Sequence, residues 1–308
     1  MNAVDLFAGW GGFTEGAEQA GARVVYAANH WPLAVEAHAR NHPGAVHECQ
    51  DLRQADWSKL PEHDLLLASP ACQGHSTAAN GARKANPGVH ARHDSLRATA
   101  WAVVDCVEVC RPRALIVENV PDFRRWVLFD LWTEALRRVG YRIDERVLRA
   151  SHINTPQRRD RLFIFGTLEN RVVPKIGRSA EPAFGPCIDW TSEARWSRVD
   201  ASRRPRVAER IERSRARHGK RFLTQHTRDH MGVPLDEPIR TITTKDQWAI
   251  VDGDRYRPLT VRETARGMGF RDSYAWPESN RGDAIRGLGN AVCPPVARAA
   301  VSAVMEVL

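Results

Sequence analysis

Short apolar runs alternate with amphipathic segments along the first half of the chain. Val4–Phe7, Val24–Ala28, Asp64–Ala68, Ala114–Val117 and Leu162–Phe165 read as strands. Thr14–Ala20, Leu33–Arg40, Ser95–Val109 and Phe129–Val139 read as helices, with apolar residues returning at helical spacing. Strand, helix, strand in this order predicts an α/β fold: a mostly parallel sheet with helices on both faces. Ligands on such sheets sit at the carboxyl ends of the strands. After about Gly166 the period breaks down and Pro, Arg, Trp and Gly become frequent. Strands return within Thr241–Val251, and from Arg257 the pattern is helical again, with turns expected at Gly267, Gly282 and Gly289. The simplest parse is an α/β domain over residues 1–169 and 249–308, interrupted by a smaller domain over residues 170–248.

Charge sharpens that parse. The net charge is +8, and between Arg195 and Arg221 there are eleven Arg or Lys against three Asp or Glu, so the rest of the chain is balanced. Such a stretch suits a polyanion, whose displaced counterions make binding strong and salt-dependent. It also reads as a solvated helix opened by Pro205, pinned by Val207 and Ile211, and ended at Gly219. Composition excludes other classes. With 43% hydrophobic and 27% charged residues the chain is globular. No apolar run approaches the roughly 18 residues of a membrane span. Asp5 inside the first apolar segment, without a basic leader, argues against a signal peptide, so a cytoplasmic protein is expected. The six cysteines form no CxxC pair, which speaks against a zinc ribbon or a disulfide framework. His226 and His230 have no cysteine partner at metal spacing, and no metal is expected.

Candidate chemistry clusters at strand ends. The turn Asp5-Leu6-Phe7-Ala8-Gly9-Trp10-Gly11-Gly12 follows a strand and precedes a helix, where glycines let backbone approach a ligand. The dinucleotide fingerprint fails because its last glycine is Thr14, which leaves an adenosyl ligand such as S-adenosylmethionine, or a ligand-free turn. Cys72 follows the strand Leu65–Ala68 and enters a polar stretch to Arg92, so its thiol stands at a loop edge. Glu118-Asn119-Val120 also follows a strand. In Gln157-Arg158-Arg159-Asp160-Arg161, alternation puts Arg159 and Arg161 on one face.

Taken in order, these segments resemble the DNA (cytosine-5)-methyltransferase family. The resemblance rests on Asp5–Gly12, Cys72-Gln73, Glu118-Asn119-Val120, Gln157-x-Arg159-x-Arg161, Arg257-Pro258-Leu259-Thr260-Val261-Arg262-Glu263 and Gly289-Asn290-Ala291-Val292. It implies a Rossmann-like catalytic domain with an inserted basic target-recognition domain, and methyl transfer from S-adenosylmethionine to carbon 5 of a flipped-out cytosine. Cys72 is then the nucleophile that adds to carbon 6, Glu118 the carboxyl at ring nitrogen 3, and Arg159 and Arg161 the arginines that hold the base and the thiolate. Phe7, Ala8, Gly9, Gly11, Gly12, His30, Trp31, Asp51, Pro70, Asn290 and Val292 fall at cofactor positions, with Trp31 stacking on adenine and Asp51 bonding its amino group. Gln73, Ser76, Arg97, Asn119 and Gln157 match positions that touch the DNA or the base, within or beyond a mobile loop over Gln73–Arg92. Arg203, Arg204 and Arg206 in the basic insertion would meet phosphates. Two residues depart from the family pattern: His30 stands where an acidic residue grips ribose, and Ala71 where proline precedes the cysteine. The implied partner is double-stranded DNA, met by a monomer, with any cognate restriction endonuclease acting separately. A tRNA-modifying branch and a non-catalytic DNA-binding homologue are the alternatives; the Cys-Phe-Thr signature of that branch is missing.

Overall fold

The computed structural model describes residues 1–71, 98–226, 230–277 and 279–308. These fall into two compact units, one of Met1–Arg149, Asp160–Gly177 and Val292–Leu308, the other of Ala150–Arg159 and Arg178–Ala291. The bounds differ from the parse at 170 and 248, because residues beyond Trp248 pair and pack within the second unit.

In the first unit the chain runs β1 (Asn2–Leu6), α1 (Gly12–Gln19), β2 (Arg23–Asn29), α2 (Pro32–Asn41), β3 (Val46–Cys49), β4 (Leu65–Ala68), α3 (Trp101–Cys110), β5 (Ala114–Asn119), α4 (Phe129–Arg138) and β6 (Arg142–Arg149). β7 (Gln157–Arg158) belongs to the other unit, and β8 (Asp160–Thr167) completes the sheet. The strand order is β3-β2-β1-β4-β5-β8-β6. Pairing is parallel from β3 to β5 and antiparallel at β8 and β6. β4 is buried throughout, as is β5, which is why Leu65–Ala68 and Ala114–Val117 read as unbroken apolar runs. β6, Arg-Ile-Asp-Glu-Arg-Val-Leu-Arg, carries no apolar run because it is an edge strand in which five of eight residues are charged. Its hairpin-like return with β8 also makes the end of the sheet antiparallel rather than parallel.

The second unit holds a four-stranded sheet in the order β10-β12-β13-β9. Its elements are β9 (Ser197–Arg198), α5 (Pro205–His218), β10 (Arg221–Gln225), β11 (Ile239–Arg240), β12 (Trp248–Asp252), β13 (Arg255–Pro258), α6 (Val261–Met268) and α7 (Arg281–Asn290). β11 pairs in parallel with β7. As the sequence suggests, α5 starts at Pro205 and is capped by Gly219 at φ +76°. Its Ile211 joins Phe222, Val251 and Tyr256 in a small core, which turns most of its arginines outward. Arg257 and Glu263 form a buried two-pronged ion pair, both bonds 2.7 Å. Glu263 also closes a capping box with Thr260 at the start of α6.

Gly267, Gly282 and Gly289 lie inside α6 and α7, not at turns. At two of them the reason is close packing. A Cβ on Gly289 would come within 2.3 Å of the Thr243–Thr244 backbone, and one on Gly267 within 2.5 Å of Phe184. The final helix, α8 (Pro294–Met305), returns to the first unit and packs against α1 at Gly16. Among the described residues, Arg281–Met305 is long and apolar enough to cross a membrane by composition, contrary to the expectation that no run would be. It folds as two separate helices, and 67% of its apolar window is buried.

Candidate active site

Sheet register brings the predicted segments of the first unit to one edge. Leu6 pairs with Ala28 and Ala68, and Ala68 pairs with Val117. The residues that follow, Phe7, Asn29, Ser69 and Glu118, therefore lie at the same level of the sheet's edge. β1 sits between β2 and β4, the point where successive connections diverge to opposite sides and a crevice opens.

The loop after β1 has the backbone of a ligand cradle. Phe7, Gly9 and Gly11 take positive φ, at +62°, +53° and +77°. Gly11 caps α1 without any side-chain hydrogen bond, so amides of the first turn remain directed at the loop. Among the described residues, a Cβ on Gly9 would meet only the Phe7 carbonyl, at 3.8 Å. Behind the loop Trp31 packs edge-on against Trp10, ring centres 5.6 Å apart. Trp31 is half-buried, and Asn29 Oδ1 accepts a 2.9 Å hydrogen bond from its amide. His30 is exposed. Asp51 caps a short turn, and Arg53 Nε donates to its Oδ1 at 2.9 Å, which holds the carboxyl below its ordinary pKa. Glycine turn, uncapped helix start and half-open indole together fit an adenosyl ligand bearing a charged amino-acid end.

Beneath the loop lies a polar chain that the sequence did not suggest. Thr14 Oγ1 donates to Asp5 Oδ2 at 2.7 Å, and His38 Nε2 lies 2.9 Å from the same hydroxyl. His38 Nδ1 is 2.8 Å from His47 Nε2. Burial pushes the Asp5 carboxyl up to about 7, while burial and the neighbouring histidines push His38 well down.

At the end of β5, Glu118 is nearly buried and Arg161 Nε stands 3.0 Å from its Oε1. The expectation that Arg159 would share this face is not met. The chain does not run on as one strand: β7 pairs with β11 and β8 with β5 and β6, with the break at Arg159. Arg159 is 2% exposed, and its guanidinium donates to the carbonyls of Ile242, Gly289 and Ala291. Gln157, fully buried, bonds Gly267 O and the Ile242 amide. Asn119, 1% exposed, donates to Pro70 O at 3.0 Å, and its Oδ1 accepts from Val120 N. Asn119 and Gln157, expected to touch the DNA or the base, thus have their amides hydrogen-bonded inside the protein.

Cys72, Gln73, Ser76 and Arg97 lie outside the described residues, as does the loop expected over Gln73–Arg92. The chain leading to Cys72 is held at two points: Asn119 grips the carbonyl of buried Pro70, and Ala71 N donates to Thr99 Oγ1 at 3.2 Å. Thr99 carries no local sequence signal, since its partner lies 28 positions away. In the second unit Asn290 is exposed at the end of α7, and Arg203, Arg204 and Arg206 are exposed around the start of α5. Arg204 also donates to Tyr256 Oη at 2.8 Å. Val292, in the first unit, is buried.

Comparison with known proteins identifies the family and the fold. The family model of C-5 cytosine-specific DNA methylases matches residues 1–184 and 188–306. The type II methyltransferase M.NlaX of Neisseria lactamica is 26% identical over 96% of this chain and 93% of its own. M.AgeI of Thalassovita gelatinovora is 33% identical over 56% of this chain, a match that spans only 40% of that longer enzyme. Among solved structures, the Dnmt2 methyltransferase of S. pombe superposes with a TM-score of 0.72 at 19% identity, covering 99% of this chain and 98% of its own. That likeness is one of fold.

Proposed function

The chain belongs to the C-5 cytosine-specific DNA methylase family, and on that premise we propose that it methylates carbon 5 of a cytosine in a specific duplex DNA sequence through a covalent adduct of Cys72. S-adenosylmethionine, when bound, supplies an electrophilic methyl group; Phe7–Gly12, Trp31, Asp51, Asn290 and Val292 are the residues that would hold it. Carbon 5 of cytosine is too electron-poor to react unaided. The Cys72 thiolate adds to carbon 6 and makes carbon 5 nucleophilic. Glu118 meets ring nitrogen 3 as charge builds on the ring, and Arg161, already paired with it, fixes the carboxyl and reaches the base carbonyl. After methylation a base removes the carbon 5 proton and Cys72 departs. A duplex hides these atoms, so the cytosine must turn out of the stack. The basic second unit supplies target recognition, with Arg203, Arg204 and Arg206 on phosphates. The protein acts as a cytoplasmic monomer, apart from any cognate endonuclease.

The observation that carries this reading is the Glu118–Arg161 pair, 3.0 Å apart, with Glu118 on the strand beside the one that leads to Cys72. The test is mass spectrometry of nucleosides after incubating the protein and S-adenosylmethionine with unmethylated genomic DNA. The expected product is 5-methyl-2′-deoxycytidine, absent with Cys72→Ala although that variant still binds DNA. Methylation retained by Cys72→Ala overturns the covalent mechanism. Methylcytidine formed in tRNA and none in DNA overturns the substrate.

A further inference from the structure

The element Gln157-Arg158-Arg159-Asp160-Arg161 divides between two tasks. Arg161 faces Glu118, whereas the two residues before it that the family pattern singles out are spent on backbone. Gln157 and Arg159 grip Ile242 from both sides, the amide donating to Gln157 Oε1 at 3.1 Å and the carbonyl accepting from Arg159 Nη1 at 2.8 Å. Arg159 Nη2 then reaches Gly289 O at 2.9 Å and Ala291 O at 3.1 Å. Those carbonyls flank Asn290, at the end of α7, where a helix leaves acceptors without partners and favours positive charge. Gly289 permits the approach, since any Cβ there would strike the Thr243–Thr244 backbone at 2.3 Å. Three carbonyls from two segments demand a planar fork of donors; an ammonium on a flexible stem cannot hold all three in register.

We propose that Arg159, seated by Gln157, is a positioning residue that fixes the backbone on both sides of Asn290 for the methyl donor, and takes no part in holding the cytosine. Its consequence for the donor rests on the reading of the chain as a methyltransferase; the clamp itself does not.

Two measurements on the full-length protein separate these. Hydrogen exchange of the amides over 281–291, without any ligand, should quicken about tenfold or more in Arg159→Lys and stay unchanged in Arg161→Lys. S-adenosylhomocysteine binding without DNA should weaken about tenfold in Arg159→Lys, and KM for the donor should rise by a like factor while kcat at saturating donor falls less than about threefold. A kcat loss of about a hundredfold at unchanged donor KM overturns the proposal, because that is the mark of a group touching the reacting base. Should Arg159→Lys fail to fold, Gly289→Ala strains the same contact from the other side, and a folded Gly289→Ala with normal donor affinity overturns it equally. If the wild-type protein binds no donor, the reading of its function fails, and unchanged exchange in Arg159→Lys remains the result that would sink the clamp.

Discussion

Arg161 Nε lies 3.0 Å from Glu118 Oε1, across the antiparallel pair β5 and β8. The side chains are 18% and 7% exposed, so neither charge is well hydrated without the other. Arg161→Met should cost about 3 kcal/mol of stability by stranding a nearly buried carboxylate. The double variant with Glu118→Gln should recover part of that loss, as urea unfolding of the four proteins would reveal. Strict additivity would mean that the pair contributes nothing. Glu118→Gln alone should lower methyl transfer by about a hundredfold or more.

Asp5 makes stability depend on pH. Its folded value of about 7 lies above the ordinary 3.8, so the fold binds the proton more tightly than the unfolded chain does. The stabilisation is present in full below the ordinary value and is lost as pH rises through about 7, with a full span of about 4 kcal/mol. His38, held neutral beside His42 and His47, acts oppositely: its pKa is lowered, so stability climbs as pH approaches 6.5 from below. Asp5→Asn should abolish the descending limb between about pH 4 and 7. Parallel pH profiles for variant and wild type would show that Asp5 is not the group responsible.

Glu263 has two jobs that substitution can separate. Thr260→Ala removes the cap and should cost about 1 kcal/mol. Arg257→Met removes the buried counter-charge, both partners being at most 1% exposed, and should cost about 3–5 kcal/mol. Chemical unfolding measures both; equal losses would refute the assignment.

The arginines around the start of α5 should act through phosphates. Arg203→Ala and Arg206→Ala, both at exposed positions, should each weaken DNA binding on every sequence alike and reduce the slope of log K against log salt by about 1. Arg204→Ala should do the same and also loosen Tyr256, its partner at 2.8 Å. An unchanged slope in all three would move the DNA surface elsewhere.

Local pattern carried much of this. Apolar runs at strand spacing marked β1, β2, β4, β5 and β8, because a strand buried on both faces cannot be polar. Pro205 and Gly219 bounded α5, because each acts on its own backbone. The order of motifs along the chain pointed to the family, and register at the sheet edge aligned Phe7, Asn29, Ser69 and Glu118. What the sequence could not decide is which partner each polar side chain finds. Asn119 and Glu118 are neighbours, yet Asn119 holds Pro70, 49 positions back, while Glu118 meets Arg161. Alternation placed Arg159 beside Arg161, but periodicity holds only within one strand, and the chain breaks between β7 and β8. Arg159 thereby turns to carbonyls 83 to 132 positions away, a choice made by long-range packing that no local spacing encodes.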